Sequence, residues 1–164
     1  MVTLGLGIPM PMLAPITATW SAPFAVYLVV LSSRIVYHRI KDRTPMGDRS
    51  KTLDVKGATN SEAPETDPLY VATRAHANFV ENVPLALTLS ALAELNGGSR
   101  RLLHGALAAL LVMRVAHVEL GLRSSFRGVR SIGPGRAVGY YGTQAMLVGL
   151  AGYGAWVVRE YWGF

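Results

Sequence analysis

Arg74, Asn78 and Glu81 lie in the stretch Arg74-Ala75-His76-Ala77-Asn78-Phe79-Val80-Glu81-Asn82-Val83-Pro84-Leu85. They stand at i, i+4 and i+7, so a helix there carries a guanidinium, a carboxamide and a carboxylate on one face. The residues after them read as membrane-embedded. Charges within a membrane span are costly and as a rule turn toward the bundle interior, where they bind a ligand or pair with one another. Two readings follow. The trio either binds something, or forms a structural ion pair that locks one helix to another.

The elements that must position these groups are helices. Of 164 residues, 51% are hydrophobic and only 16% are charged, against about 25% charged in a soluble domain. The formal net charge is +6, but the basic residues flank apolar runs instead of interleaving with aromatics, which argues against nucleic acid as a partner. There is no cysteine, which excludes disulfides, thiolate metal sites and a cysteine nucleophile. No metal site is expected either: His76 and Glu81 are badly spaced for one, and no pair of histidines has helical ligand spacing.

No charged side chain precedes Arg34. The first apolar run therefore lacks the basic lead of a secretory signal and reads as a span. A second charge-free run covers Ala137 to Val158. Two weaker spans lie between them and reach spanning length only by admitting Arg74, Glu81, Glu94, Arg114, His117 and Glu119. The expectation is one all-α domain over residues 1–164, an integral membrane four-helix bundle of up-down topology. Its helices fall at about residues 12–40, 70–95, 99–122 and 134–158, with a long polar loop at 41–68. Asn96-Gly97-Gly98-Ser99 reads as a tight turn with Ser99 as N-cap.

Basic residues concentrate on the first loop and its flanks (Arg34, Arg39, Lys41, Arg43, Arg49, Lys51, Lys56) and on the third (Arg123, Arg127, Arg130, Arg136). The positive-inside rule puts both loops in the cytosol and both termini outside it. In that topology Arg74, His76, Asn78 and Glu81, at the start of helix 2, share a layer with Arg114 and His117, at the end of helix 3. Arg34 and Arg39 close helix 1 in the same layer, and Arg130 precedes helix 4. Several arginines around one carboxylate suit an anionic ligand with more than one carboxylate.

Arg74-Ala-His-Ala-Asn-Phe-Val-Glu-Asn-Val-Pro resembles the motif of the membrane-associated proteins in eicosanoid and glutathione metabolism, small four-helix membrane proteins that assemble as trimers. Arg114-Val-Ala-His117, with Arg130-Ser131 thirteen residues after the histidine, resembles the prostaglandin E synthase branch. Ala93-Glu-Leu-Asn-Gly-Gly98 is more similar to bacterial and fungal members. The resemblance implies a homotrimer that binds glutathione between neighbouring subunits and acts on a lipophilic small molecule arriving through membrane lipid. Arg74, Asn78 and Glu81 would hold the tripeptide, Glu81 facing its amino group, with His76, Arg114 and His117 around it. Arg34 or Arg39 would add a helix 1 arginine. Arg130 would stabilise the thiolate, with Ser131 beside it. Location would be the endoplasmic reticulum or another internal membrane in a eukaryote, or the inner membrane in a bacterium.

The implied chemistry is sound physically. A free thiol has a pKa of about 8.5, which a nearby guanidinium lowers, so the protein would supply proximity and charge stabilisation to a bound thiolate. Two departures weigh on it. Where catalytically established members often carry tyrosines, one turn past His117 and just after the motif glutamate, this chain has Gly121 and Asn82. A non-catalytic scaffold or glutathione- or lipid-binding protein of the same fold is the competing expectation. A transporter is disfavoured by the lack of internal repeats. Elsewhere, His38 and His104 read as interfacial, and Glu94 and Glu119 as needing no special role. Gly135 with Gly139 and Ala145 with Gly149 read as close helix packing, and Trp156, Tyr161 and Trp162 as an interfacial belt.

Overall fold

The computed structural model describes residues 13–44, 46, 67–122 and 134–163. These form four long helices: α1 (Pro15–Lys41), α2 (Pro68–Leu95), α3 (Arg100–Ala116) and α4 (Pro134–Val157). A π-helical turn, His117–Leu122, continues α3, and a 3-10 turn, Arg159–Trp162, follows α4. No strand occurs among the described residues.

Local chemistry accounts for the helix ends. Pro68 opens α2 at a position where a missing N–H costs nothing, and the Asp67 carboxylate accepts from the Leu69 amide at 3.1 Å. Gly97, at φ +85°, ends α2 in the left-handed conformation that glycine adopts without strain, and the Gly98 amide donates back to the Ala93 carbonyl at 2.8 Å. Ser99 is the N-cap of α3, yet its hydroxyl makes no capping bond. Its amide instead donates to the Tyr153 hydroxyl at 2.5 Å, tying the turn to α4.

The start of α1 depends on a neighbour. Ala14 has no side-chain oxygen to cap it, and the Glu94 carboxylate does so from the end of α2. It accepts from the Ile16 and Thr17 amides at 2.7 and 2.8 Å and from the Thr17 hydroxyl at 2.8 Å. This role for Glu94 corrects the expectation that it needs none. Trp20 Nε1 donates to His104 Nδ1 at 3.0 Å, joining the beginnings of α1 and α3. At the far end Arg34 of α1 pairs with Glu119 of the π-helical turn.

The core is aliphatic and aromatic: Phe24 and Leu31 from α1, Phe79 and Val83 from α2, Leu103, Leu107 and Leu110 from α3, and Leu150 from α4. The outside is equally apolar. Val26, Val29, Val112 and Val148 are exposed among many others, a surface suited to lipid. Among the described residues two helices are long and apolar enough to cross a membrane, Pro15–Lys41 and Arg100–Leu122. The sequence instead singles out the first and last runs, by their lack of charge. The last run, which carries no charge from Ala137 on, is not one of the two, whereas the helical stretch from Arg100 to Leu122 qualifies with Arg114 and Glu119 within it.

Candidate functional site

The polar face of α2 divides in two. Arg74 and Glu81 are exposed on the outside of the four-helix unit, with no hydrogen bond or ion pair to another described residue. Asn78, about 40° further round the helix at 100° per residue, is half-buried at the edge of the bundle, and Asn82 is buried within it. The interior placement expected of the charges is not seen, nor is the helix-locking ion pair. Within one chain only the amides turn inward.

What they meet is Arg114. This side chain is 2% exposed and comes from the last turn of α3. Its two terminal nitrogens donate to Asn78 Oδ1 and to the Gly139 carbonyl of α4. Thr143 donates to that same carbonyl at 2.8 Å. Asn82 Nδ2 donates to the Asn78 carbonyl at 2.7 Å, and Gln144 of α4 donates to Asn82 Oδ1 at 3.3 Å. One polar layer thereby crosses α2, α3 and α4. A guanidinium can be held here because backbone and carboxamide oxygens receive its protons.

Two glycine contacts let α4 approach closely enough to complete the layer. The His117 imidazole, buried, lies against Gly139, where any Cβ would collide with the ring. One turn earlier on α4, Gly135 packs backbone to backbone against Gly121. A Cβ at Gly121 would lie 2.7 Å from the Arg136 nitrogen, and one at Gly135 would lie 2.8 Å from the Gly121 nitrogen. Gly135 and Gly139 thus pack closely as the sequence suggests. Gly149 meets nothing within 4 Å, and Ala145 is exposed. A tyrosine at position 121 would have no room in this chain, and Asn82 is occupied by Asn78 and Gln144.

Arg34 lies at the same end, and its guanidinium is 2.6 Å from Glu119 Oε1. Tyr27 donates to the same oxygen at 3.3 Å, and its ring meets Phe79 edge-on, 5.7 Å between centroids. Arg39, half-buried, lines a shallow groove with Val36, Ile40 and Arg43. His76 is half-buried on α2. The structure therefore joins Asn78 to Arg114, sets His117 beside the Gly139 that Arg114 also bonds, and leaves Arg74 and Glu81 facing outward. Arg130 and Ser131 lie outside the described residues, as does most of the 41–68 loop.

Sequence reasoning gave Glu119 no special role, which its pairing with Arg34 corrects, and passed over Gln144 and Thr143. Glu119 had a usable signal, since it shares its layer with Arg34 in any bundle of alternating helices. Gln144 and Thr143 had none, being ordinary polar residues on a glycine-rich helix.

Neither the curated proteins nor the solved structures include a match to this chain. The model of the MAPEG family, by contrast, matches residues 17–156, a span that takes in nearly all of the four helices and every residue of the polar layer, and the chain belongs to that family.

Proposed function

We propose that this chain is a multi-pass membrane protein of up-down topology, one domain throughout, that assembles as a trimer. It binds glutathione between subunits and transfers it to, or uses it to reduce, lipophilic electrophiles. Membership of the family supports a membrane function related to glutathione or eicosanoids. The observation that carries the finer reading is the outward placement of Arg74 and Glu81 on a helix whose other exposed residues include Val80, Leu85, Leu92 and Leu95. A guanidinium and a carboxylate on a lipid-facing surface are costly. A second copy seated against α2 removes that cost and makes their face the wall of a site between chains.

The donors and acceptors suit the ligand. Arg74 offers a bidentate donor for a carboxylate, Glu81 an acceptor for an ammonium, and glutathione carries two carboxylates and one ammonium. Arg34, paired with Glu119 within the chain, or Arg39 would add a helix 1 arginine. His76 and His117 would border the ligand. Arg130 would hold negative charge on the sulfur, with Ser131 beside it. No covalent intermediate on the protein is required.

A specific observation favours a second reading. The packing of Gly121 on Gly135 and the engagement of Asn82 by Gln144 leave neither position able to present a group to sulfur. A glutathione- or lipid-binding protein without turnover fits these facts. One experiment separates the readings: glutathione binding, thiolate ultraviolet absorbance and conjugation to an aryl halide, measured on protein purified in mild detergent. Binding with thiolate and turnover supports the enzyme, and binding alone supports the binder. Absence of binding, or a stable monomer that binds, refutes the intersubunit site.

A further inference from the structure

We propose that Arg114 is a positioning residue that fixes the polarity of Asn78, holding its carboxamide oxygen inward so that its NH2 group is presented to the ligand face. The proposal rests on the glutathione site described above. It assigns to Arg114 an action through Asn78 in place of contact with the ligand.

The argument starts from the donor inventory. A guanidinium carries five N–H donors and no acceptor. Arg114 bonds the Asn78 side chain, so the atom turned toward it must be Oδ1. The amide is planar, and Nδ2 is thereby directed to the other side. Nδ2 makes no hydrogen bond among the described residues, and Asn78 is half-buried at the edge of the bundle. Arg114 is itself held against reorientation. Its second terminal nitrogen is engaged by the Gly139 carbonyl, and its Nε is buried with no partner among the described residues. No carboxylate pairs with it among the described residues, so the Asn78 oxygen is a principal acceptor for a charge removed from water.

The backbone reinforces the arrangement. The Asn78 carbonyl accepts from Asn82 Nδ2, which is itself oriented by the donor from Gln144 to its oxygen. Each donor along this line points at an oxygen, and the one carboxamide N–H2 left over is that of Asn78. Together with Arg74 it makes a pair of donors one turn apart, followed by the Glu81 acceptor a further turn along α2. An asparagine free to flip would present oxygen as readily as nitrogen and would discriminate poorly between a carboxylate and an ammonium.

The test uses the full-length protein in detergent, with Asn78→Asp, Asn78→Ala, Arg114→Met and Arg114→Lys. The first readout needs no ligand. A carboxylate at position 78 keeps two acceptors for Arg114, so Asn78→Asp should melt at or above Asn78→Ala. Melting below it would overturn the inward oxygen, whether or not glutathione binds. The second readout is glutathione affinity. Asn78→Asp removes the donor and should lose at least tenfold, and a smaller loss overturns the outward NH2. Arg114→Met should raise KM for glutathione by a larger factor than it lowers kcat, and Arg114→Lys, also a pure donor, should recover part of that affinity. Equal loss in the two variants would overturn the positioning role. Failure of the wild type to bind glutathione would refute the site of the preceding subsection while leaving the melting comparison decisive for the orientation.

Discussion

Restoring a tyrosine at position 121 should harm this protein, and the smaller change Gly121→Ala already measures why. The added Cβ would lie 2.7 Å from the Arg136 nitrogen, 2.9 Å from the Gly135 carbonyl carbon and 3.1 Å from Arg136 Cγ. The two nearest neighbours are backbone, which cannot rotate away as a side chain does. Overpacking a close contact costs roughly 1–3 kcal/mol, and a contact between two helix backbones belongs at the upper end. Alanine returns about 1 kcal/mol of helix propensity over glycine, leaving a net loss of about 2 kcal/mol. Gly135→Ala meets the same contact from the other side and should cost about as much. Because one displacement of α4 from the end of α3 relieves both collisions, the double variant should fall well short of the sum. Reversible unfolding in mixed micelles titrated with dodecyl sulfate gives the three free energies. A single-variant cost within about 0.5 kcal/mol of zero, or strict additivity, would refute the backbone contact. Gly121→Tyr should fail to raise turnover and should lower the yield of folded protein.

Three further outcomes are expected. Glu94→Ala strips the start of α1 of an acceptor for three hydrogen bonds and should cost about 2 kcal/mol in the same unfolding assay; Glu94→Gln, which keeps one acceptor oxygen, should cost less. Arg74→Ala should weaken glutathione binding by about 2 kcal/mol, as for a charge-assisted contact covered by a partner, measured by calorimetry; an unchanged affinity would remove Arg74 from the site. Arg130→Ala should lower turnover by roughly a hundredfold, the scale of losing one electrostatic stabiliser, with a modest change in affinity and with loss of thiolate absorbance.

Much of the architecture was legible because it follows from local rules. The Gly97-Gly98 stop and the common depth of Asn78 and Arg114 can be read from residue types and alternating spans, whereas the Asp67-Pro68 start falls in the stretch that reads as loop. Period alone does not say which edge of a polar face turns inward. Arg74, Asn78 and Glu81 span only about 60°, and the bundle boundary runs through that arc, so the amide is drawn in while the charges stay out. Gly121 shows a different limit. As a letter it marks a missing phenol, while in the fold it is a contact that tolerates no side chain, and only the position of Gly135 reveals this. Glu94 was passed over for a related reason. Its partners are backbone amides of α1, which carry no signature in the sequence.

The polar layer through Arg114 has a consequence for proton traffic. Its members are carboxamides, a guanidinium that keeps its proton, backbone carbonyls and the single hydroxyl of Thr143. None of the first three gives up a proton and accepts another at neutral pH, so the layer cannot act as a proton wire. It places strong dipoles inside an apolar bundle, and the titratable group beside it is the His117 imidazole packed against Gly139. The layer thus holds a fixed positive charge within the bundle on groups that do not themselves relay protons.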